Sequence, residues 1–187
     1  MSDVIRIGNC SGFYGDRLDA AREMVEGGPI DVLTGDYLAE LTMSILYNQQ
    51  QTRGEDTGYV GTFLKQVRDV AALCNEKNIK IVSNAGGLNP RSMALEVEKI
   101  LEELGLDLKV AYIDGDNLLP DLDQLQSDGE SFTNLDTQQH LKDSDQKALT
   151  ANAYLGGWGI KEALDQGADI VICPRVTDAA VCLLYTS

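Results

Sequence analysis

Short apolar runs alternate with amphipathic helical stretches along this chain, and that alternation carries its strongest structural signal. Five runs, Val4 to Gly8, Ile30 to Thr34, Ile79 to Ser83, Lys109 to Ile113 and Asp169 to Cys173, each lead into a polar turn. Runs this short and rich in β-branched residues suit strands covered on both faces. With helices between them they predict an α/β fold: a mostly parallel sheet with helices on both faces, a Rossmann-like three-layer arrangement. An incomplete barrel gives the same alternation from five strands and is the alternative.

The helices follow from spacing and stop signals. Asp16 to Glu26 reads as a short helix closed by Gly27-Gly28-Pro29. Tyr37 to Tyr47 puts Leu38, Leu41, Ile45 and Leu46 on one face, and the polar stretch Gln49 to Gly58 reads as a loop. Phe63, Val67, Val70, Ala71 and Cys74 form the stripe of a helix from Gly61 to Glu76. Pro90 opens another, with Met93, Val97, Ile100, Leu101 and Leu104 on its apolar face and Gly105 at its end. From Leu118 to Lys147 polarity rises, which predicts an inserted loop with a short helix, or a mobile lid over the strand ends. A last helix is expected from Asn152 to Gln166, stopped by Gly167. There is no internal repeat and no low-complexity tract.

At 187 residues and 43% hydrophobic, the chain can bury a sizeable core as one domain or part of a larger one. Its 30 acidic against 15 basic residues give a formal charge of -15, which repels phosphate backbones and anionic membrane surfaces. A small-molecule substrate is therefore the expected partner, with no nucleic acid and no membrane; a homo-oligomer is left open. The amino terminus has no basic segment followed by an apolar stretch, and no apolar run approaches the length of a membrane span, so a cytoplasmic location is expected. Cys10, Cys74, Cys173 and Cys182 lie far apart, which predicts reduced thiols rather than a zinc site or disulfides. The ending Cys-Leu-Leu-Tyr-Thr-Ser coincides with one translated frame of a sequencing-library adapter. Residues Cys182 to Ser187 are thus expected to be adapter read-through, with the true chain continuing past Val181.

In an open parallel sheet or a barrel, ligands bind at the carboxyl ends of the strands, where loops converge and helix amino termini point inward. The first such loop, Asn9-Cys10-Ser11-Gly12-Phe13-Tyr14-Gly15-Asp16-Arg17, offers backbone N–H groups and a cation to an anion. It has neither the dinucleotide glycine fingerprint nor a Walker spacing, which sets a nicotinamide-type enzyme behind other readings. The later loops carry Thr34-Gly35-Asp36-Tyr37, Asn84-Ala85-Gly86-Gly87, Asp114-Gly115-Asp116-Asn117 and Arg175-Val176-Thr177-Asp178. Asp36, Asp114 and Asp178 are the candidate general acids or bases. Asn9, Ser11, Gly12, Arg17, Asn84, Gly86, Gly87, Asp116, Arg175 and Thr177 are the candidate substrate-binding residues. Asp or Asn at any one of these positions is as readily a helix cap or turn residue, so convergence is what points to a site. Paired carboxylates such as Asp114 and Asp116 could also hold Mg²⁺, the one cofactor with any signal here; no residue is assigned as a metal ligand. His140, the only histidine, sits in the polar stretch without a nucleophile beside it, so a Ser-His-Asp or Cys-His arrangement is not expected. The stretch Ala153 to Ile160, with Tyr154 and Trp158 among glycines, could line an apolar pocket or pack a helix on the sheet.

The motifs IGNCSGFYGDR, AAREMVEGGPIDVLTGDYLAELTM, IVSNAGGLNP, YIDGDN, ANAYLGGWGI and GADIVICPRVTDAA, in this order, resemble the amino-terminal domain of the acyclic terpene utilisation family, the AtuA-like proteins. The resemblance runs from Val4 to Val181 apart from the polar stretch. It implies that residues 1–181 are the first part of a larger domain, and many members carry a further small ferredoxin-like domain. It also implies a place in the breakdown of acyclic terpenes such as citronellol and geraniol, which proceeds through acyl-CoA thioesters: a pathway, and not a mechanism. The expected function is thus an enzyme or enzyme subunit acting on or binding a branched acyl-CoA or related small carboxylate. The alternative is a non-catalytic metabolite-binding or scaffold subunit. Where the family more often has CGRVTDA, this chain has Pro174, which removes a backbone donor from the last loop.

Overall fold

The computed structural model describes residues 4–145 and 147–183. Residues 184–187, most of the stretch expected to be adapter read-through, lie outside the described residues. Strands β1 (Ile7–Asn9), β2 (Val32–Gly35), β3 (Lys80–Ser83), β4 (Val110–Tyr112) and β5 (Ile170–Ile172) each overlap an apolar run of the sequence. They form one sheet in the order β1-β2-β3-β5-β4, and every neighbouring pair is parallel. The sheet is open, with β1 and β4 at its edges, so the three-layer arrangement holds and not the barrel.

Alternate strand residues face opposite ways, and both sides are apolar because both are covered. Leu33, Ile81, Ile170 and Ile172 enter the larger core with α1 (Ala20–Gly27), α2 (Glu40–Arg53), α3 (Gly61–Lys77) and α4 (Pro90–Leu104). Val32, Val82, Val171 and Cys173 enter a smaller one with α6 (Trp158–Asp165) and α7 (Ala180–Leu183). This division follows from right-handed crossovers. From β1 to β3, and from β3 out to β4, the chain advances in one direction and its helices stay on one face. From β4 back to β5 it reverses, and α6 falls on the other. The strands β3 and β5 are therefore neighbours whose following helices leave to opposite sides, the topological position at which open α/β sheets commonly bind ligands.

Helix α4 has the ends its sequence predicts. Asn89 accepts a hydrogen bond from the Ser92 amide at 3.0 Å, Pro90 occupies the first turn, and Gly105 closes the helix at φ 67°. Three other helices differ from expectation. Helix α1 begins only at Ala20, and not at the expected Asp16. Helix α2 continues to Arg53 through much of the expected loop and stops at Gly54, whose φ of 110° suits glycine. Its buried face is Thr42, Met43 and Leu46, whereas Leu41 is 74% exposed. Helix α6 begins only at Trp158, because the segment before it is extended: Asn152 bridges Asn117 antiparallel and Leu155 runs parallel to Val176.

That segment closes the polar insertion. The Leu118 amide donates to Ala151 and the Ala153 amide to Asp116, both at 2.7 Å, so the two ends of the insertion meet in a short ladder. Between them lie the short helix α5 (Leu122–Ser127) and two single 3₁₀ turns, within what the composition allows. Among the described residues no helix is long and apolar enough to cross a membrane.

Candidate functional site at the strand ends

The loops after β2 and β3 are joined by two side chains. Asn84, 1% exposed, donates through its amide to the Asp36 carboxylate at 2.5 Å and accepts the Tyr37 amide at 2.8 Å. The Asp36 amide donates to the Ser11 carbonyl at 3.0 Å, which brings in the loop after β1. Asp36 is half-buried, and burial pushes its carboxyl above the usual range. The Asn84 and Leu38 hydrogen bonds work against this, the nearby Asp178 charge adds to it, and Arg175 opposes it. A half-buried carboxyl raised by burial is a feature that functional sites share with structural ones.

Arg175 follows β5, and its side chain is 7% exposed. Its Nη2 donates to the Tyr154 hydroxyl at 2.6 Å and lies 3.3 Å from Glu40 Oε1, while its guanidinium carbon stands 4.3 Å above the Tyr154 ring. The Tyr154 hydroxyl in turn donates to Glu40. Nη1 is buried and has no hydrogen-bond partner among the described residues. A buried guanidinium ordinarily saturates its donors, which sets this nitrogen apart.

Asp116 is held behind Arg175. Buried, it accepts from the Asn152 amide at 2.8 Å and from the Arg175 backbone amide at 3.3 Å. Burial raises its pKa, opposed by those hydrogen bonds and aided by the charge of Asp114. Its carboxylate thus ties the neck of the insertion to the loop of Arg175. Asp114 itself is exposed. Among the described residues no group of three or more His, Cys, Asp or Glu side chains comes together to hold a metal.

The remaining candidates divide. Ser11 is buried and its hydroxyl donates to the Phe13 carbonyl at 3.1 Å, while Asn9 accepts from Thr34 at 3.2 Å. Gly12 is exposed with its amide on Asp16 at 3.1 Å. Arg17 turns away to an exposed pair with Glu23. Gly86 and Gly87 are packed into the protein: a Cβ on Gly86 would stand 2.6 Å from the Cys173 carbonyl, and one on Gly87 would overlap Leu46 Cδ1. Thr177 and Asp178 are exposed, with the Thr177 amide on Leu155 at 3.0 Å.

Three buried cysteines hold their protons more tightly than a free thiol. Burial raises the pKa of Cys10, whose Sγ lies 3.9 Å from the Tyr37 hydroxyl, and that of Cys173, and pushes Cys74 up to about 12. Glu40 and Asn152 are members of the cluster that sequence reading missed. Neither has a local signal: an acidic residue in a first helical turn and an asparagine before a helix are ordinary features, and only the tertiary fold brings them to Arg175.

No curated protein and no solved structure matches the chain. A family model described as acyclic terpene utilisation family protein AtuA matches residues 5–184. The chain therefore belongs to the acyclic terpene utilisation family, whose name ties it to the catabolism of acyclic terpenes.

Proposed function

We propose that this chain, within the protein it forms, binds and acts on a branched acyl-CoA or related small carboxylate in the cytoplasm. Arg175 takes the anionic group and Asp36 moves the proton. The observation that carries this reading is Arg175: a buried cation at the carboxyl edge of a parallel sheet, with one nitrogen unpartnered among the described residues. In a chain of net charge -15, long-range steering works against an anion, so capture must rest on local donors of this kind. Asp36 supports the catalytic half, since its loop meets that of Asn84 at the strand ends and its carboxyl is raised by burial. Asp178 assists by repelling the ionised form of Asp36.

Calorimetric titration of the full-length protein with a panel of branched acyl-CoAs and the matching free acids, followed by turnover assays on whatever binds, tests the reading. Binding of at least one member, with turnover lost in Asp36→Asn, is the expected result. No binding across the panel overturns the substrate class, and binding without turnover removes the catalytic role.

A further inference from the structure

We propose that Glu40 is an internal carboxylate that holds the place of a ligand's carboxylate against Arg175 and Tyr154, and that the ligand group recognised here is a carboxylate which displaces it. The inference rests on the anion-binding reading of Arg175 and narrows it to one chemical group. Glu40 Oε1 takes both a hydrogen bond from the Tyr154 hydroxyl and the Arg175 Nη2 contact at 3.3 Å. A carboxylate oxygen thus already fits between the phenol and the guanidinium. The fit is incomplete, because Glu40 reaches Nη2 and leaves Nη1 with no partner among the described residues. A carboxylate arriving on a separate molecule is free of the helix backbone that restrains Glu40, and can span both nitrogens with two parallel hydrogen bonds.

The two partners are unequal in a way that suits exchange. The Arg175 side chain is 7% exposed and fixed from behind through its backbone amide on Asp116, whereas that of Glu40 is 82% exposed in the first turn of α2. An ion pair whose acid is this exposed is weak and costs little to open. Tyr154 is half exposed and bonded to Glu40, so loss of Glu40 from this position frees its hydroxyl to donate to an incoming carboxylate. Leu41 and Ile45, which follow Glu40 on α2, are exposed one helical turn apart and offer apolar surface on the helix that carries Glu40. The ligand class that follows is a carboxylate with an apolar tail.

The test titrates the full-length wild type, Glu40→Ala, Glu40→Gln and Arg175→Lys with 3-methylbutanoate, 3-methylbutanamide, inorganic phosphate and 3-methylbutanoyl-CoA. Removing the internal competitor should tighten 3-methylbutanoate about two- to fivefold in both Glu40 variants, the range expected for loss of one exposed ion pair. The amide should not bind and phosphate should bind more weakly than the acid. Thermal unfolding of the Glu40 variants should match wild type. If the acid binds the Glu40 variants no better than wild type, or if phosphate or the amide binds as well as the acid, the displacement proposal falls. Binding of 3-methylbutanoyl-CoA in that case leaves the broader reading standing. If none of the probes binds any form, both fall.

Discussion

Asn84 holds Asp36 and the amide next to it at once: its side-chain nitrogen donates to the Asp36 carboxylate at 2.5 Å while its oxygen accepts the Tyr37 N–H at 2.8 Å. One buried amide thereby fixes the carboxylate proposed for proton transfer and the backbone that carries it. The arrangement leaves Asp36 raised, because burial outweighs the hydrogen bonds it receives.

The sign of the resulting pH dependence follows. An acid whose pKa is higher folded than unfolded contributes stability that is fully present below the unfolded value, about 3.9, and is lost as pH rises through the folded value. Asp36→Asn should therefore melt at or above the wild-type temperature at pH 7, with the difference closing toward pH 4. Its turnover should fall by at least about tenfold. A large drop in melting temperature at pH 7 would assign Asp36 to structure instead.

The sheet and most helices were readable from the chain because each rests on local rules. The five strands are β-branched runs between turn signals, and α4 carries its proline, stripe and terminal glycine in sequence. The errors came where local pattern competes with tertiary pairing. Residues 152–156 look helical in composition but are drawn into extended pairing with Asn117 and Val176. Leu41 and Ile45 look like a core stripe but are exposed, because α2 buries Thr42 and Met43 instead. At the candidate site, the strand-end rule brings the loops of Asp36, Asn84, Asp116 and Arg175 to one end of the sheet, since topology alone places them there. It could not separate them from Arg17, which turns to Glu23, nor find Glu40, whose place depends on how α2 packs.

Asp169 gives the opposite pH dependence at the amino end of the strands. Burial pushes its carboxyl up, but the Lys80 ammonium at 2.6 Å and the Lys109 amide at 2.8 Å outweigh it and hold the pKa below the usual range. Its contribution is present above about pH 3.9 and is lost as pH falls through the folded value. Asp169→Asn should lose about 1–2 kcal/mol in denaturant unfolding at pH 7, and less near pH 3. Ligand affinity should be unchanged, because Asp169 precedes β5 while the site follows it.

Glycine substitutions separate packing from ligand approach. A Cβ at Gly86 would meet the Cys173 carbonyl at 2.6 Å and Pro90 at 2.7 Å, atoms that cannot swing away. Gly86→Ala should cost about 1–3 kcal/mol of stability by overpacking. A Cβ at Gly12 meets nothing within 4 Å, so Gly12→Ala should stay within about 0.5 kcal/mol of wild type. Any loss of ligand affinity in that variant would then report contact at the first loop rather than unfolding, and chemical denaturation beside titration distinguishes the two.

Arg175→Lys tests the cation itself. Lysine keeps the charge but loses the planar fork, and with it both the stacking on Tyr154 at 4.3 Å and the second nitrogen that has no partner among the described residues. Ligand affinity should weaken by about 1–3 kcal/mol, the range for charge-assisted hydrogen bonds, and wild-type affinity should fall with added salt. Tyr154→Phe keeps the ring and removes only the hydroxyl that receives Nη2, so it should retain the stacking and lose a smaller part of the affinity. If Arg175→Lys binds as well as wild type while Tyr154→Phe destabilises the fold, the guanidinium serves to anchor the segment after the insertion. Ligand capture must then be sought at the Asp36 and Asn84 loops instead.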